Sequence, residues 1–496
     1  MKDRNNAMIM DMYELTMGNA YFIDDKKDDI ALFDVFYRKN PDNGGFAILA
    51  GILPVIDFID SFHFNKDDID YLKSLNRFDH KFLDYIQDTK FDIEVTGLEE
   101  GTIIYPNTPL LTIKAPLIFG QLLETYILTL INHQSLIATK ANRLVRAANG
   151  KSIADFGARR AHGGDAAIYG ARAAYIGGVN STATVMAGEL YNEIPITGTM
   201  AHSFIQSYDS ELEAFQHFAA IETNNCILLI DTIDTLKSGI INAIKTFKIL
   251  KELNNGVMPK NYGVRIDSGD LAFLSKEVRK KLDDAGFNDA KIVVSNSLTE
   301  DIIKSLIQDQ KAPIDSFGVG ENLITAKSDA VFGAVYKLVG MIDKESGNII
   351  PKIKISNNPE KITNPGRKYL LRAFNKNSGY AIGDILTDKK DISQENFACI
   401  NSDTPYTIVK FGKDIELKQL SKVLYKRVDG KVIEDIRSSI NNLNDIREYV
   451  KKQLESSVYP EILRFENPYR YPLYYDLDYY NMKIHMLMNA TSKDSK

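Results

Sequence analysis

Short apolar runs, each closed by a polar or glycine-rich turn, recur along this chain. Near the N-terminus, "IALFDVFYRK" (30–39) and "GFAILAGI" (45–52) have the length and turn boundaries of strands. "EGTIIYPNTPLLTIKAP" (100–116) predicts a strand, a Pro-Asn turn and a second strand. Between residues 118 and 148 the apolar positions recur every three or four residues and no Gly or Pro follows Gly120. This spacing predicts one long helix or two.

From residue 152 onward, apolar runs alternate with turns and with helix-like segments. A repeated order of strand, loop and helix is typical of parallel strands with crossover helices. We therefore predict an α/β fold with an irregular (β/α) barrel, and an open doubly wound sheet stays the alternative. The predicted strand-and-loop runs are 152–160, 194–202, 226–235, 262–270, 291–300 and 314–322, and the run 331–340 is expected to close the series.

Beyond about residue 345 this alternation ends. "GRKYLLRAF" and "GYAIGDILT" predict strands that rejoin the N-terminal ones, and the charged segment 421–456 predicts helix. The Tyr-rich tail "NPYRYPLYYDLDYYNMKIHML" has no evident role.

Composition narrows the class of protein. The 496 residues carry a formal net charge of −6, which argues against a general nucleic-acid surface but allows a local cationic pocket. Two distant cysteines, Cys226 and Cys399, are too few for a disulfide framework or a structural zinc site. Cys226 begins the apolar run "CILLI", so we expect it to be a buried reduced thiol. The N-terminus lacks the apolar core of a signal peptide, and no run is long enough to span a bilayer. These features predict a soluble cytoplasmic protein without a membrane partner.

The loops that follow the predicted strands contain the candidate chemistry, because ligands of parallel α/β folds lie at the carboxyl ends of the strands. Arginines and glycine-rich turns at helix N-termini suit phosphate groups, and neighbouring carboxylates suit Mg²⁺. The combination predicts a phosphorylated substrate with a diphosphate. The residues are Arg159, Arg160, His162, Thr197, Thr199, His202, Asp231, Asp234, Arg265, Asp267, Asp270, Ser295, Asn296, Ser297, Gly318, Gly320, Glu321 and Asn322.

Each of these features also has a plain structural interpretation. "GVGEN" can be an ordinary turn, "DTIDT" a helix cap, and "RIDSGD" an internal salt bridge. His202 can be a core or capping histidine. No two histidines have the spacing of zinc ligands with a supporting carboxylate, so a catalytic zinc is not expected.

Many ordered blocks of the chain, taken together, resemble nicotinate phosphoribosyltransferases. The likeness runs from about residue 8 to about residue 375 and continues more weakly to about residue 470. It implies a type II phosphoribosyltransferase that acts as a homodimer with sites completed across the interface. The implied fold is an irregular (β/α) barrel domain, expected at residues 131–344 with the active site, and a second α+β domain built from residues 1–130 plus 345–496. The blocks include "MIMDMYELTMGNAYF", "FYRKNP", "LINHQSLIATKANRL", "DFGARRAHGGDAAIYGARAAYIGG", "GTMAHS", "DTIDTLKSG", "RIDSGDLAFLSKEVRKKLD", "VSNSL", "FGVGENLIT" and "VYKLV".

The resemblance also implies a reaction. Nicotinate is joined to the ribosyl group of 5-phosphoribosyl 1-diphosphate, diphosphate is released, and nicotinate mononucleotide feeds NAD synthesis. ATP hydrolysis is coupled to this reaction through phosphorylation of a histidine, and His202 lies at that position in "GTMAHS". Mg²⁺ and arginines are expected to stabilise the departing diphosphate.

Residue roles follow from the same resemblance. The catalytic residues are expected to be His202, Asp231 and Asp267. Nicotinate is expected to contact Tyr13, from the neighbouring subunit, together with Phe156, Thr199 and Arg265. The phosphoribosyl diphosphate is expected to contact Arg159, Ser297, Gly318, Gly320, Thr325 and Arg367, and Mg²⁺ is expected to bind Asp231, Asp267 and Asp270.

Two other functions stay open at this level. Nicotinamide phosphoribosyltransferases share the implied fold and carry a Gly-Thr-Asp-Thr run where this chain has "STAT" (181–184), with Ala183 in place of the aspartate. A carboxylate there would repel nicotinate, so its absence favours the acid as substrate. A non-catalytic barrel that binds a nucleotide is the second alternative. One departure from the family pattern is Glu321, where a smaller hydroxyl residue is expected.

Overall fold

The computed structural model describes residues 5–358, 361–390, 397–440 and 442–493. The chain forms two compact units. Unit 1 contains Met1–Leu136 and Val331–Lys496, and unit 2 contains Ile137–Ala330.

Helices and strands alternate along most of the described chain. The strands are β1 (Ile30–Phe36), β2 (Ala47–Ile48), β3 (Ile93–Gly97), β4 (Ile103–Ile104), β5 (Leu111–Pro116), β6 (Ser152–Asp155), β7 (Ser181–Thr182), β8 (Asn225–Leu229), β9 (Asn261–Ile266), β10 (Lys291–Ser295), β11 (Ser316–Val319), β12 (Val335–Ile342), β13 (Ile349–Pro351), β14 (Tyr369–Asn375), β15 (Ala381–Thr387), β16 (Ala398–Asn401), β17 (Ile408–Lys410), β18 (Ile415–Gln419), β19 (Lys422–Val428), β20 (Lys431–Asp435) and β21 (Leu473–Asp476). The helices are α1 (Met12–Ile23), α2 (Ile52–Ser61), α3 (Lys66–Ser74), α4 (His80–Asp88), α5 (Leu117–Leu122), α6 (Glu124–Ala147), α7 (Gly164–Ile176), α8 (Val185–Leu190), α9 (His202–Gln206), α10 (Glu211–Ile221), α11 (Ile240–Leu253), α12 (Leu271–Asp284), α13 (Glu300–Lys304), α14 (Glu321–Ile324), α15 (Leu443–Ser456) and α16 (Leu477–Lys493).

The predicted helical stretch 118–148 is confirmed as α5 and α6. In the described part of the chain, no helix is long and apolar enough to cross a membrane. Cys226 is a buried free thiol, as predicted, and Cys399 is also buried and free. Burial raises the pKa of both thiols.

Unit 1 contains a seven-stranded sheet in the order β13-β12-β1-β5-β3-β19-β20. The predicted strands β1 and β5 are confirmed and pair antiparallel, and residues 31–36 are all buried. The prediction that the run 331–340 closes the barrel series is wrong, because β12 pairs antiparallel with β1, with Val35 opposite Tyr336. An apolar run specifies a buried strand but not the sheet that the strand joins.

A second six-stranded sheet of unit 1 has the order β17-β16-β21-β15-β14-β18. "GRKYLLRAF" and "GYAIGDILT" form β14 and β15, but they pair here and do not rejoin the N-terminal strands. The core of this sheet includes Leu371, Ile385 and Cys399. Part of the Tyr-rich tail forms β21, which lies parallel to β15 and antiparallel to β16.

The predicted helix over 421–456 is wrong in its first half. Residues 422–435 form the β19–β20 hairpin, Ile436–Ser438 form a short 3-10 helix, and α15 is the α-helical part of the segment. The hairpin turns at Asp429 and Gly430, which have φ of 50° and 71°. An Asp-Gly pair between alternating residues is a strong hairpin signal, because both positions of the favoured turn require positive φ. Residue 441 of this segment lies outside the described residues.

Unit 2 is built on a parallel sheet in the order β7-β6-β11-β10-β9-β8. Five predicted runs supply β6 and β8–β11, and Val264, Val294 and Phe317 form part of its buried core. The α/β fold class is confirmed. The predicted strand in 194–202 is wrong, because that segment makes only one bridge, between Thr182 and Ile196. Pro195 contributes to this difference, since proline has no N–H to donate to a strand ladder.

Candidate active site

Three neighbouring strands of unit 2 place two of the predicted carboxylates side by side. Asp231 follows β8, Asp267 follows β9, and Ser295 ends β10. The Asp231 Oδ2 atom accepts a hydrogen bond from the backbone N–H of Asp267 at 3.1 Å and a second one from the Ser268 hydroxyl. The Ser295 hydroxyl donates to the Asp267 carboxylate. The parallel register therefore brings both acids to one edge of the sheet and fixes their orientation.

His202 lies beside this acidic pair. It is the first residue of α9, and its Nδ1 atom lies 3.0 Å from the Thr232 hydroxyl oxygen. Its Nε2 atom lies 3.7 Å from Asp267 Oδ2, which is too long for a hydrogen bond but close enough for electrostatic stabilisation of a charged ring. The His202 side chain is 41% exposed, so it is neither a core histidine nor sealed from a ligand.

Arg265 and Thr199 meet at one backbone carbonyl. The Arg265 Nη2 atom donates to the Met200 carbonyl at 2.8 Å, and the Thr199 hydroxyl donates to the same oxygen at 3.3 Å. Burial lowers the pKa of Arg265, and the nearby carboxylates of Asp267 and Asp231 partly offset that effect. The buried Arg265 Nε atom has no hydrogen-bond partner in the structure. The guanidinium of Arg265 is therefore held by the hydrogen bond from Nη2, and its buried Nε–H group is an unpaired donor.

Phe156 is held against a glycine at the end of β11. Its backbone N–H donates to the Val319 carbonyl at 2.8 Å, and a Cβ atom added to Gly318 would lie 2.4 Å from Phe156 Cε2. Only glycine lets the ring approach the strand so closely. The preceding residue, Asp155, is buried and accepts from the Thr182 hydroxyl at 2.7 Å, and burial raises the pKa of this carboxyl. Asp155 and Thr182 therefore fix the backbone that presents Phe156.

The loop after β10 has an uncommon backbone. Asn296 and Ser297 have φ of 86° and 51°, in the left-handed region that non-glycine residues rarely occupy. Such conformations are strained and cluster at functional loops. The structure thus gives Ser297 a conformation that an ordinary connecting loop would not need.

The "GVGEN" turn leads from β11 into the short helix α14. Glu321 pairs with Lys327 at 2.7 Å, and its carboxylate lies 4.0 Å from Arg160. These two cations explain how the turn accommodates a carboxylate. The Thr325 hydroxyl donates to the Glu321 carbonyl at 2.8 Å, while Gly320 precedes α14.

The structure gives several other predicted residues different surroundings. Arg159 is exposed, and its charge lowers the pKa of Arg265. Asp270 caps α12, because its carboxylate accepts from the backbone N–H of Phe273 at 3.0 Å. Tyr13 and Arg367 belong to unit 1. Tyr13 is 44% exposed on α1, and Arg367 pairs with Glu94 at 3.1 Å, so their predicted roles stay predictions.

The structure places in the site several residues that were not predicted from the sequence. Thr232 contacts His202, Ser268 contacts Asp231, and the Met200 carbonyl joins Arg265 to Thr199. Thr232 and Ser268 each follow directly after a selected aspartate. This position, directly after an aspartate that follows a strand, is the feature of the sequence from which they could have been predicted.

The acidic pair fits a magnesium ion that is shared with a substrate. Within the described residues, no group of three or more His, Cys, Asp or Glu side chains is placed to hold a metal ion alone. The Asp231 Oδ1 atom, however, is buried and has no hydrogen-bond partner. Mg²⁺ commonly binds through one or two carboxylates together with substrate phosphates, which matches what Asp231 and Asp267 offer.

Comparisons with known proteins agree over nearly the whole chain. The models for the nicotinate phosphoribosyltransferase (NAPRTase) N-terminal domain, the NAPRTase family and the NAPRTase C-terminal domain match residues 8–132, 151–398 and 367–483. The nicotinate phosphoribosyltransferase of Bacillus subtilis (strain 168) is 37% identical over 496 residues, covering 99% of this chain and 97% of the relative. That of Caenorhabditis elegans is 33% identical, covering 94% of this chain and 90% of the relative. The crystal structure of human nicotinic acid phosphoribosyltransferase superposes with a TM-score of 0.81 at 24% identity, covering 97% of this chain and all of that one, which shows the shared fold.

Proposed function

Because this chain belongs to the nicotinate phosphoribosyltransferase family, we infer that it is the enzyme that joins nicotinate to 5-phosphoribosyl 1-diphosphate. The products are nicotinate mononucleotide and diphosphate, and the reaction serves NAD salvage. The observation that carries this conclusion is the family likeness along almost the full length of the chain. The cluster of Arg265, His202 and the two aspartates at one edge of the parallel sheet supplies the chemistry.

We propose that Arg265 recognises the nicotinate carboxylate. Its Nε donor is buried without a partner, so a carboxylate would complete its hydrogen bonding with a charge-assisted bond. Thr199 shares the Met200 carbonyl with Arg265 and would add a hydroxyl contact. The ring of Phe156 would cover one face of the pyridine, and Tyr13 would cover the other face.

The same edge of the sheet would bind the phosphoribosyl diphosphate. We propose that Asp231 and Asp267 hold Mg²⁺ together with the diphosphate, where the metal would neutralise the charge that develops on the leaving group. The 5-phosphate would lie in the turns after β10 and β11, where backbone N–H groups can face it. The residues proposed for these phosphates are Arg159, Ser297, Gly318, Gly320, Thr325 and Arg367.

In the chemical step the pyridine nitrogen is already a nucleophile. It attacks the anomeric carbon of the ribose while the bond from that carbon to the diphosphate oxygen breaks, so the enzyme needs no general base. The ribose carries oxocarbenium character in between, which makes positioning and electrostatic stabilisation of the diphosphate the main tasks of the site. Arg265 and Phe156 would hold the acceptor in line for this attack.

We propose that ATP phosphorylates His202 and that this couples ATP hydrolysis to the reaction. A ring nitrogen of His202 would attack the γ-phosphorus, ADP would leave, and water would later hydrolyse the phosphohistidine to free phosphate and histidine. The Thr232 hydroxyl at Nδ1 orients the ring. The carboxylate of Asp267 lies on the other side of the ring, with its Oδ2 atom 3.7 Å from Nε2.

A homodimer is the proposed assembly, in which Tyr13 would act in the site of the other subunit. The short helix α8 supports this proposal, because Val185, Met186 and Leu190 are 71%, 48% and 49% exposed. Apolar side chains grouped on a surface in this way are typical of a face that is covered by a partner.

The function is tested by steady-state assays with labelled nicotinate, phosphoribosyl diphosphate and Mg²⁺, with and without ATP. We expect nicotinate mononucleotide to form, ATP to stimulate its formation, and excess nicotinamide not to displace nicotinate. His202→Ala should lose the ATP stimulation, whereas His217→Ala, an exposed histidine on α10, should keep it. Binding of nicotinate without turnover would instead support a non-catalytic barrel.

A further inference from the structure

Unit 1 contains a large cavity that the proposed reaction does not use. Its volume is about 950 Å³, and its walls come from the turn after β1, the turn that contains Pro106, and the Tyr-rich tail. We name it the tail cavity. Small-molecule sites in proteins occupy about 300–1,000 Å³, so this space is large enough for a nucleotide.

The tail cavity is lined by an excess of positive charge. Arg38, Lys39, Arg470 and Lys483 line it, and Asp403 is the only carboxylate among its described lining residues. Asp403 pairs with Arg470 at 2.8 Å. This local excess occurs in a protein whose formal net charge is −6, so the cavity would attract an anion that most of the surface would repel.

Lys483 is the cation placed best to hold an anion. Its Nζ atom donates to Asn364 Oδ1 at 2.7 Å and lies 4.8 Å from the centroid of the Tyr475 ring, and no carboxylate of the described residues pairs with it. Burial lowers the pKa of Lys483 to about 8, and the charge of Lys368 acts in the same direction. The hydrogen-bond partner of this buried ammonium is a neutral amide, so a charge-assisted bond to a phosphate oxygen would stabilise its charged form strongly.

Aromatic side chains form the other part of the wall. The rings of Tyr475 and Tyr480 lie 6.1 Å apart, and Tyr105 stacks on Tyr471 with centroids 3.6 Å apart. The buried Tyr105 hydroxyl has no hydrogen-bond partner. The rings of Tyr105 and Tyr471 are covered by each other and by Arg372, whereas the half-buried ring of Tyr480 offers a face on which a flat base can stack. The unpaired Tyr105 hydroxyl can offer the base a hydrogen bond.

We propose that the tail cavity is a second ligand site that binds a nucleoside phosphate. The phosphate groups lie at Lys483 and Arg470, and the base lies against the tyrosines of the tail. The site belongs to unit 1 alone and does not depend on His202 or Arg265. This assigns a function to the Tyr-rich tail, which the phosphoribosyl transfer does not require.

The proposal is tested by calorimetric titration of the full-length protein with ADP, in the presence of saturating phosphoribosyl diphosphate to occupy the site in unit 2. ADP should still bind under these conditions. Lys483→Met should weaken this binding about tenfold or more, because a charge-assisted bond is lost. Lys452→Met, which removes an exposed lysine of α15 that does not line the cavity, should leave it unchanged.

A second variant and two further ligands distinguish the proposal from its alternatives. Arg470→Gln changes an exposed residue at the rim, so it keeps the fold intact and should also weaken ADP binding. Adenosine and inorganic diphosphate should each bind at least tenfold more weakly than ADP. Equal affinity for inorganic diphosphate would mean a general anion site, and loss of ADP binding with phosphoribosyl diphosphate present would place ADP in the catalytic site. Either result, or wild-type affinity in Lys483→Met, overturns the proposal.

Discussion

The contact between Thr232 and His202 gives the sharpest test of the proposed phosphohistidine. Thr232→Val keeps the shape of the side chain but removes the hydroxyl that lies 3.0 Å from Nδ1. The ring of His202 then loses the partner that sets its orientation and decides which nitrogen carries the proton. We expect phosphorylation of His202 to become slower while the transfer of the ribosyl group itself is preserved.

The size of the effect follows from the hydrogen bond. A net contribution of about 0.5–1.5 kcal/mol for a neutral bond, or about 1.5–3 kcal/mol when the ring is charged, corresponds to a fall of roughly 2- to 140-fold. The rate without ATP should stay within about twofold of the wild type, since Thr232 is not assigned to either substrate of that step.

Two measurements detect the slower phosphorylation of His202. The first is the ratio of initial rates with and without ATP, and the second is the amount of phosphoenzyme formed from ATP labelled at the γ-phosphate. Thr232→Ser restores the hydroxyl and should recover most of the stimulation. If Thr232→Val retained full stimulation and wild-type phosphoenzyme, the hydrogen bond would have no part in the coupling. Equal losses in both variants would point to packing instead of the hydroxyl.

Three further predictions concern other residues. Arg265→Gln should raise the KM for nicotinate about 10- to 100-fold, because one charge-assisted bond is worth about 1.5–3 kcal/mol, with a much smaller effect on phosphoribosyl diphosphate. The backbone N–H of Ala183 donates to the carbonyl of Asp155, the residue before Phe156. Ala183→Asp should therefore add a carboxylate near the proposed nicotinate site that repels the substrate carboxylate and lowers kcat/KM for nicotinate at least about tenfold, whereas Ala183→Ser should have little effect. Glu14 is buried, and burial raises the pKa of its carboxyl to about 7, so its ionisation costs folding free energy that builds up between about pH 4.5 and pH 7. Glu14→Gln should therefore gain stability relative to the wild type by about 1–3 kcal/mol at pH 8 and by little at pH 5, as measured by chemical unfolding.

Each of these predictions has an outcome that contradicts it. An unchanged KM for nicotinate in Arg265→Gln would remove this arginine from carboxylate recognition. Ala183→Asp with wild-type kcat/KM would show that position 183 does not face the substrate. For Glu14, the decisive result is the direction in which stability changes with pH. Between the two pKa values the folded state binds more protons than the unfolded state, so the wild type loses stability as pH rises. A difference between variant and wild type that did not grow with pH would contradict the raised pKa.

The sequence predicted the structure correctly where a local pattern of residues determines the local conformation. The recurrence of apolar residues predicted α5 and α6, and short apolar runs with turn boundaries predicted β1, β5, β6 and β8–β11. It failed where one pattern fits two conformations. Residues 422–435 mix charged and apolar residues without a strict period, and the turn at Asp429 and Gly430 determines the hairpin.

The sequence also determined which chemical groups the site contains. His202, Asp231 and Asp267 follow apolar runs of the sequence, and Arg265 lies near the end of such a run, so these side chains were available as candidates before the structure was known. Only the tertiary structure decided which of them meet. The order β10-β9-β8 places Asp231 against Asp267, and the segment before α9 returns His202 to Thr232, which lies 30 positions further along the chain. Apolar periodicity encodes the conformation of each segment, whereas the contacts between segments depend on strand order and register, which arise only when all the strands pack together.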